Sequence, residues 1–251
     1  MIRRALLTAC FLVLVPAAAA RAGDDPPRFQ AEVEGGLVWQ SRNDVRIPGD
    51  TGTEFSLVDV LGSGPYASGR IYLTWDASRK SSLRLTIAPL IFKGEGTLAD
   101  SVSFAGETFA PGVSTDATYK FNSYRLSYRY LVHSGARWQW RIGLTGKIRD
   151  ARIALAQPGT QAEKTDFGFV PLLNLNGQVA LSPDVQLELD ADGLAAPQGR
   201  AFDVSLKGRY QISSGTSLAL GYRTLEGGAD NDEVYTFAWL HYAVASVTYR
   251  F

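Results

Sequence analysis

The chain has 251 residues, with 25 basic and 25 acidic side chains, two histidines and one cysteine. That balance gives no general attraction to nucleic acid, and a lone cysteine excludes a disulfide framework within the chain. No internal apolar run approaches the ~20 residues of a membrane helix, so any crossing of a bilayer has to be made by a closed barrel.

Residues 1–22 read as a cleaved secretory signal. Arg3 and Arg4 form its charged start, Ala5 to Val15 its apolar run and Ala20-Arg21-Ala22 its A-x-A site. Leu7-Thr8-Ala9-Cys10 mimics a lipoprotein box, but the apolar run continues past Cys10, which argues against lipidation. Removal of the signal leaves 23–251 as one domain without cysteine, with 22 basic and 25 acidic residues and a net charge of about −3. Such a domain has to be held by its backbone ladder and packing.

Ten segments then alternate with the period of a β-strand. The first, 29–41, sets Ala31, Val33, Leu37 and Trp39 against Gln30, Glu32, Glu34 and Gln40. The next two are 66–76, with Ile71, Leu73 and Trp75 on one face, and 81–93, with Leu83, Leu85, Ile87 and Ile91. Segment 118–132 alternates tyrosines with Arg125 and Arg129, and 137–155 alternates Trp138, Trp140, Ile142 and Leu144 with Arg141, Lys147 and Arg149. Segments 167–181, 185–193, 201–212, 217–225 and 234–251 complete the set. Short turns near 76–80, 132–136, 182–184 and 213–216 alternate with generally longer loops at 42–65, 94–117, 156–166, 194–200 and 226–233. Short turns on one side and longer loops on the other are the habit of outer-membrane barrels, with the short side periplasmic. Within 42–65, Phe55-Ser56-Leu57 is apolar enough for a short helix or lid across the barrel mouth.

The last segment ends on Ala243, Ala245, Val247, Tyr249 and Phe251 at alternate positions, and resembles the terminal sorting signal of bacterial outer-membrane β-barrels. That resemblance implies outer-membrane lipid and lipopolysaccharide as surroundings, and the barrel-assembly machinery as a partner through the strand ending in Phe251. Thr145-Gly146-Lys147-Ile148-Arg149-Asp150-Ala151, Gln198-Gly199-Arg200-Ala201-Phe202-Asp203 and the stretch Gly221 to Asp230 resemble a functionally uncharacterised group of outer-membrane barrels. This second resemblance implies fold and location and transfers no activity. The expected architecture is all-β, a single up-and-down antiparallel transmembrane β-barrel of about ten strands, with eight or twelve compatible with the boundaries. A soluble lipocalin-like barrel would alternate equally well in the opposite sense. The charge density of the polar faces, together with the terminal signal, favours the membrane barrel. No cofactor is expected, and nothing in the sequence specifies an oligomer.

With polar faces inward, the lumen holds eleven basic residues, Arg70, Arg84, Arg125, Arg129, Arg141, Lys147, Arg149, Lys207, Arg209, Arg223 and Arg250. Against them stand Glu32, Glu34, Glu188, Asp190, Asp192 and Asp203. A barrel this narrow is nearly filled by its own side chains, and buried charges have to pair. A plugged, salt-bridged interior with a structural or surface-binding role is therefore expected, with a narrow anion-preferring channel as the alternative. The hairpin around 194–200 is expected to bring Asp190 near Asp203, with Asp192 close by, neutralised by Arg149, Arg200 or Arg223, by a metal ion or by a retained proton. Omptin-type proteases use outer-rim aspartates together with a histidine. Here His133 falls in a periplasmic turn and His241 has lipid-facing parity, so that constellation is absent. A lipid A-modifying hydrolase, with His and Ser on the lipid-facing surface, is a further alternative. His241 suits it, but Ala243 follows and no serine comes at short outward spacing. Finally Glu226, Asp230, Asp232 and Glu233 form a candidate cation-binding loop, or else a solvated turn.

Overall fold

The computed structural model describes residues 28–197 and 199–251, so the signal read at 1–22 lies outside the described residues. The chain runs β1 (Phe29–Arg46), β2 (Phe55–Ser56), α1 (Leu57–Leu61), β3 (Tyr66–Asp76), β4 (Ser81–Ala88), β5 (Ile91–Thr97), β6 (Val102–Phe104) and β7 (Glu107–Phe109). It continues through β8 (Ser114–Ser134), β9 (Trp138–Gln157), β10 (Thr160–Ala180), β11 (Val185–Ala196), β12 (Gly199–Gln211), β13 (Thr216–Asp230) and β14 (Tyr235–Arg250).

The wall strands pair antiparallel with their sequence neighbours, and β14 pairs back onto β1 from Gln30↔Arg250 to Arg46↔Tyr235. With β4 and β5 both laid along β8 as one wall strand, the result is a closed barrel of ten strands. Closure pairs the first strand with the last, so the seam leaves no open edge for lipid to strip of hydrogen bonds. At the short-turn end Phe29 stacks between Trp75 and Phe251, with ring centroids 6.4 and 6.0 Å away. Higher on the seam the strands approach so closely that a Cβ on Gly36 would lie 2.1 Å from the Ala243 carbonyl oxygen.

The sense of the alternation is that of a membrane barrel. Val33, Leu73, Leu126, Leu144, Leu173 and Leu220 are exposed on the outside, whereas Glu32, Glu34, Arg84, Arg125, Asp203 and Lys207 are buried inside. A soluble barrel would expose the second set and bury the first, so an apolar exterior of this kind belongs in a bilayer.

The strands outrun their expected limits on the side of the long loops. The expected loop 156–166 shrinks to a turn at 158–159, and most of 226–233 is strand up to Asp230. The reason lies inside. Above the charged lumen, the inward positions turn apolar (Val38, Val45, Leu155, Leu225, Leu240), and they pack with segments folded in from the loops. Ser56 caps α1 by accepting from the Val58 N–H at 3.3 Å, and Leu57 and Val60 are buried. Phe104 and Phe109, from the β6–β7 hairpin, are fully buried, and Phe92 stacks between Tyr66 and Tyr119. The outer half thus carries a core like that of a soluble protein, which supports strands standing above the lipid.

Candidate functional site

The lower lumen is crossed by charged side chains. Asp203 on β12 accepts from Arg70 (2.8 Å), Arg125 (2.6 Å) and Arg223 (2.7 Å), which come from β3, β8 and β13. Glu34 accepts from Arg223 and Lys207, and Glu32 from Lys207 (2.5 Å) and Arg209 (3.1 Å). Asp190 accepts from Arg84 and from Arg129, and Asp192 from Arg125 (2.9 Å), Thr145 (2.8 Å) and Asn174 (2.8 Å). Charge-assisted bonds of this type are about twice as strong as neutral ones, and shared donors tie the pairs into one network.

The pairing differs from the expected one. Asp192, not Asp190, stands opposite Asp203 in the β11–β12 register, and Asp190 faces Ser205. Of the three expected arginines, only Arg223 reaches the cluster. Arg200 instead grips Glu226 through Nε at 2.9 and 3.0 Å, and Arg149 bonds Asp166. Arg70, Arg84, Arg125 and Arg129, assigned to the lumen by parity, reach the aspartates from other strands; hairpin pairing relates only neighbours along the sheet, while an arginine spans a narrow lumen. The acidic loop is not gathered either. Glu226 belongs to Arg200, Asp230 ends β13 opposite Tyr235, and Glu233 lies 3.8 Å from Lys164. Among the described residues no group of three or more His, Cys, Asp or Glu is placed to hold a metal ion.

A second feature lies higher in the wall. β10 and β11 pair from Ala180↔Gln186 only as far as Leu173↔Gly193, while β10 continues to Thr160 paired with β9 alone. Pro171 sits just past the last rung. Having no N–H to give a neighbour, it suits an unpaired edge. A cavity of about 520 Å³ occupies this region, lined by Val170 and Leu172 of β10, Leu194 of β11, Phe202 of β12 and, from the interior, Lys147. Seven basic and three acidic side chains line it in all.

A third feature is on the outer surface. The β1–β14 register slips between Gln40 and Arg42, so Ser41 is the extra residue of a β-bulge. Its Oγ lies 2.8 Å from His241 Nε2, and Tyr222 Oη lies 2.5 Å from Nδ1. Ser41 is 200 positions before His241, which is why a search for a serine downstream of the histidine misses it. Only the β1–β14 seam brings them together, and a serine breaking the parity of the first strand was the available clue.

No protein-family model matches the chain, and no curated protein matches it. Among solved structures, the outer membrane protease OmpT from Escherichia coli matches with a TM-score of 0.52 at 11% identity, over 90% of this chain and 97% of that one. The Ail attachment invasion locus protein of Yersinia pestis (TM-score 0.40, 7% identity, 89% and 99% coverage) and Neisserial surface protein A (0.38, 13%, 89% and 97%) also match. The first likeness bears on the fold alone. Together with the apolar belt and the charged interior, it makes the chain a small outer-membrane β-barrel, located in the bacterial outer membrane.

Proposed function

We propose that the barrel is a non-conducting component of the outer membrane with a structural or surface-binding role, inserted by the barrel-assembly machinery through β14 and Phe251 and surrounded by lipid and lipopolysaccharide. The observation that carries this reading is the ring of ion pairs from β1, β3, β4, β8, β11, β12 and β13, which meet across the lower lumen. An ion moving through would have to part pairs that are buried and mutually bonded, at several kcal/mol each. The outer half, with its cavity and exposed rim, is the part left for a ligand. Conductance of the refolded barrel in a planar bilayer tests the reading. Silence from folded protein is expected; discrete anion-preferring steps would replace it with the narrow channel.

The Ser41–His241–Tyr222 group favours a second reading, a hydrolase acting on acyl esters of outer-leaflet lipid such as lipid A. With its proton on Nδ1 the imidazole donates to Tyr222 Oη and leaves Nε2 to take the Ser41 proton, the nucleophile–base arrangement of acyl transfer. The group lies roughly 22 Å above the end of β14, near the outer edge of a belt about 25 Å tall, where lipid ester bonds lie. Labelling by a fluorophosphonate that disappears in Ser41→Ala, together with loss of ester-linked acyl chains from lipid A in mass spectra, is the expected result. Absence of both would leave His241 as a girdle residue.

A further inference from the structure

From the wall between β10 and β11 we infer that the outer cavity is a lateral binding site for a long-chain carboxylate, admitted from the outer leaflet through the gap and held at its head by Lys147. This rests on the surface-binding reading and names its ligand class and route.

Three observations converge. First, the gap lies at the height of lipid. Its last closed rung, Leu173↔Gly193, is roughly 19 Å above the periplasmic turn in a belt about 25 Å tall. Outward apolar side chains continue above it, Phe169 at 66% and Phe167 at 75% exposure. An unpaired strand edge facing hydrocarbon leaves N–H and C=O groups unsatisfied, so such a gap is tolerated where it borders a cavity rather than lipid alone. Pro171 withholds an N–H at that edge.

Second, the cavity behind the gap joins an apolar slot to a charge. Val170, Leu172, Leu194 and Phe202 form the slot, and about 520 Å³ lies within the range of small-molecule sites, about 300–1,000 Å³. That space suits one acyl chain, not the bulk of a multiply acylated lipid.

Third, the cavity holds an uncommitted cation. Arg125 is bonded to Asp192 and Asp203, Arg149 to Asp166, Arg152 to Glu163, Lys120 to Asp150 and Arg200 to Glu226. Lys147 is only 4% exposed, yet among the described residues it pairs with no carboxylate; its ammonium rests 4.6 Å from the centroid of the Phe121 ring. A buried ammonium without a counter-ion is costly, and an incoming anion relieves that cost. One compact point charge matches a monoanionic head. The chain of the ligand then lies back along the slot toward the gap. No covalent step is involved.

The test uses the full refolded chain in phosphatidylcholine vesicles with palmitic acid carrying a photoreactive diazirine near its methyl end. Peptide mass spectrometry is expected to place the label on 167–172 and 194–202, displaced by excess palmitate. Lys147→Gln, which orphans no partner, should weaken saturable labelling about 10–100-fold, the worth of one hydrogen bond to a charged group. The pair Leu172→Cys with Leu194→Cys occupies the rung the register would make next, so oxidation should seal the gap and abolish labelling, and reduction should restore it. Label spread evenly over the belt, or unchanged in Lys147→Gln, would overturn the site. Labelling that persists in the oxidised pair would overturn the lateral route. Conductance by the same vesicles would count against the sealed barrel without touching the labelling result, so the two failures are distinct.

Discussion

Replacing Asp203 by Asn probes the network at its most shared carboxylate. Three guanidinium groups donate to it at 2.6–2.8 Å, and a bond to a charged group contributes about 1.5–3 kcal/mol. The amide oxygen of Asn keeps one acceptor, while its NH2 turns donors toward donors. Arg125 retains Asp192 at 2.9 Å and Arg223 retains Glu34 at 3.1 Å, but Arg70 is left with Glu34 at 3.9 Å. The expected loss is therefore that of one broken buried pair, about 3–5 kcal/mol, and not the sum of three bonds. Equilibrium urea unfolding in lipid vesicles, followed by tryptophan fluorescence, measures it as a lower midpoint at unchanged slope. Adding Arg70→Met should recover about 1 kcal/mol or more, because the two changes share one interaction. A loss below about 1 kcal/mol would mean that water already screens these pairs, as at a surface, and would refute the dry, cross-linked lumen.

Other expectations follow from particular positions. Gly36→Ala should block barrel closure, because the new Cβ would sit 2.1 Å from a carbonyl oxygen, whereas Gly35→Ala, whose nearest neighbour is 4.0 Å away, should fold; heat-modifiable gel mobility separates them. Phe104→Ala removes a fully buried ring between Phe55 and Phe109 and should cost about 3–5 kcal/mol locally. Limited proteolysis should then cut near 98–112 with the barrel intact. Chelation of divalent cations should leave the unfolding midpoint of the purified barrel unchanged, since no acidic ligand set is gathered among the described residues. Asp232→Asn, at an exposed turn, should change stability by less than about 0.5 kcal/mol in the urea assay.

The alternation of side chains is a local property, and it carried most of the architecture. All ten wall strands lie where period 2 placed them, and Tyr66–Asp76 matches its expected limits residue for residue. Strand ends on the outer side were not legible. Whether 156–166 becomes loop or ladder depends on the apolar side chains packed inside it, which come from α1 and the β6–β7 hairpin. The apolar stretch Phe55-Ser56-Leu57, expected as a short helix or lid, leads into α1 from Leu57, with Ser56 as its cap.

Sites were less visible, for a reason of distance. The hairpin register brings Asp192 opposite Asp203, and of the three arginines it offered only Arg223, on the adjoining strand, reaches the pair. It could not find Arg70, Arg84, Arg125 or Arg129, which enter from strands across the lumen or elsewhere around the wall. The meeting of Ser41 with His241 needs both closure and a bulge, and the gap beside Pro171 needs β11 to end before β10 does. By itself the sequence determined where the strands run and which residues share a face, because those follow from backbone geometry repeated every two residues, while closure settled their number at ten. Only the tertiary structure decided which charges pair, which serine meets the histidine and where the wall stands open, because these depend on how a sheet closes on itself.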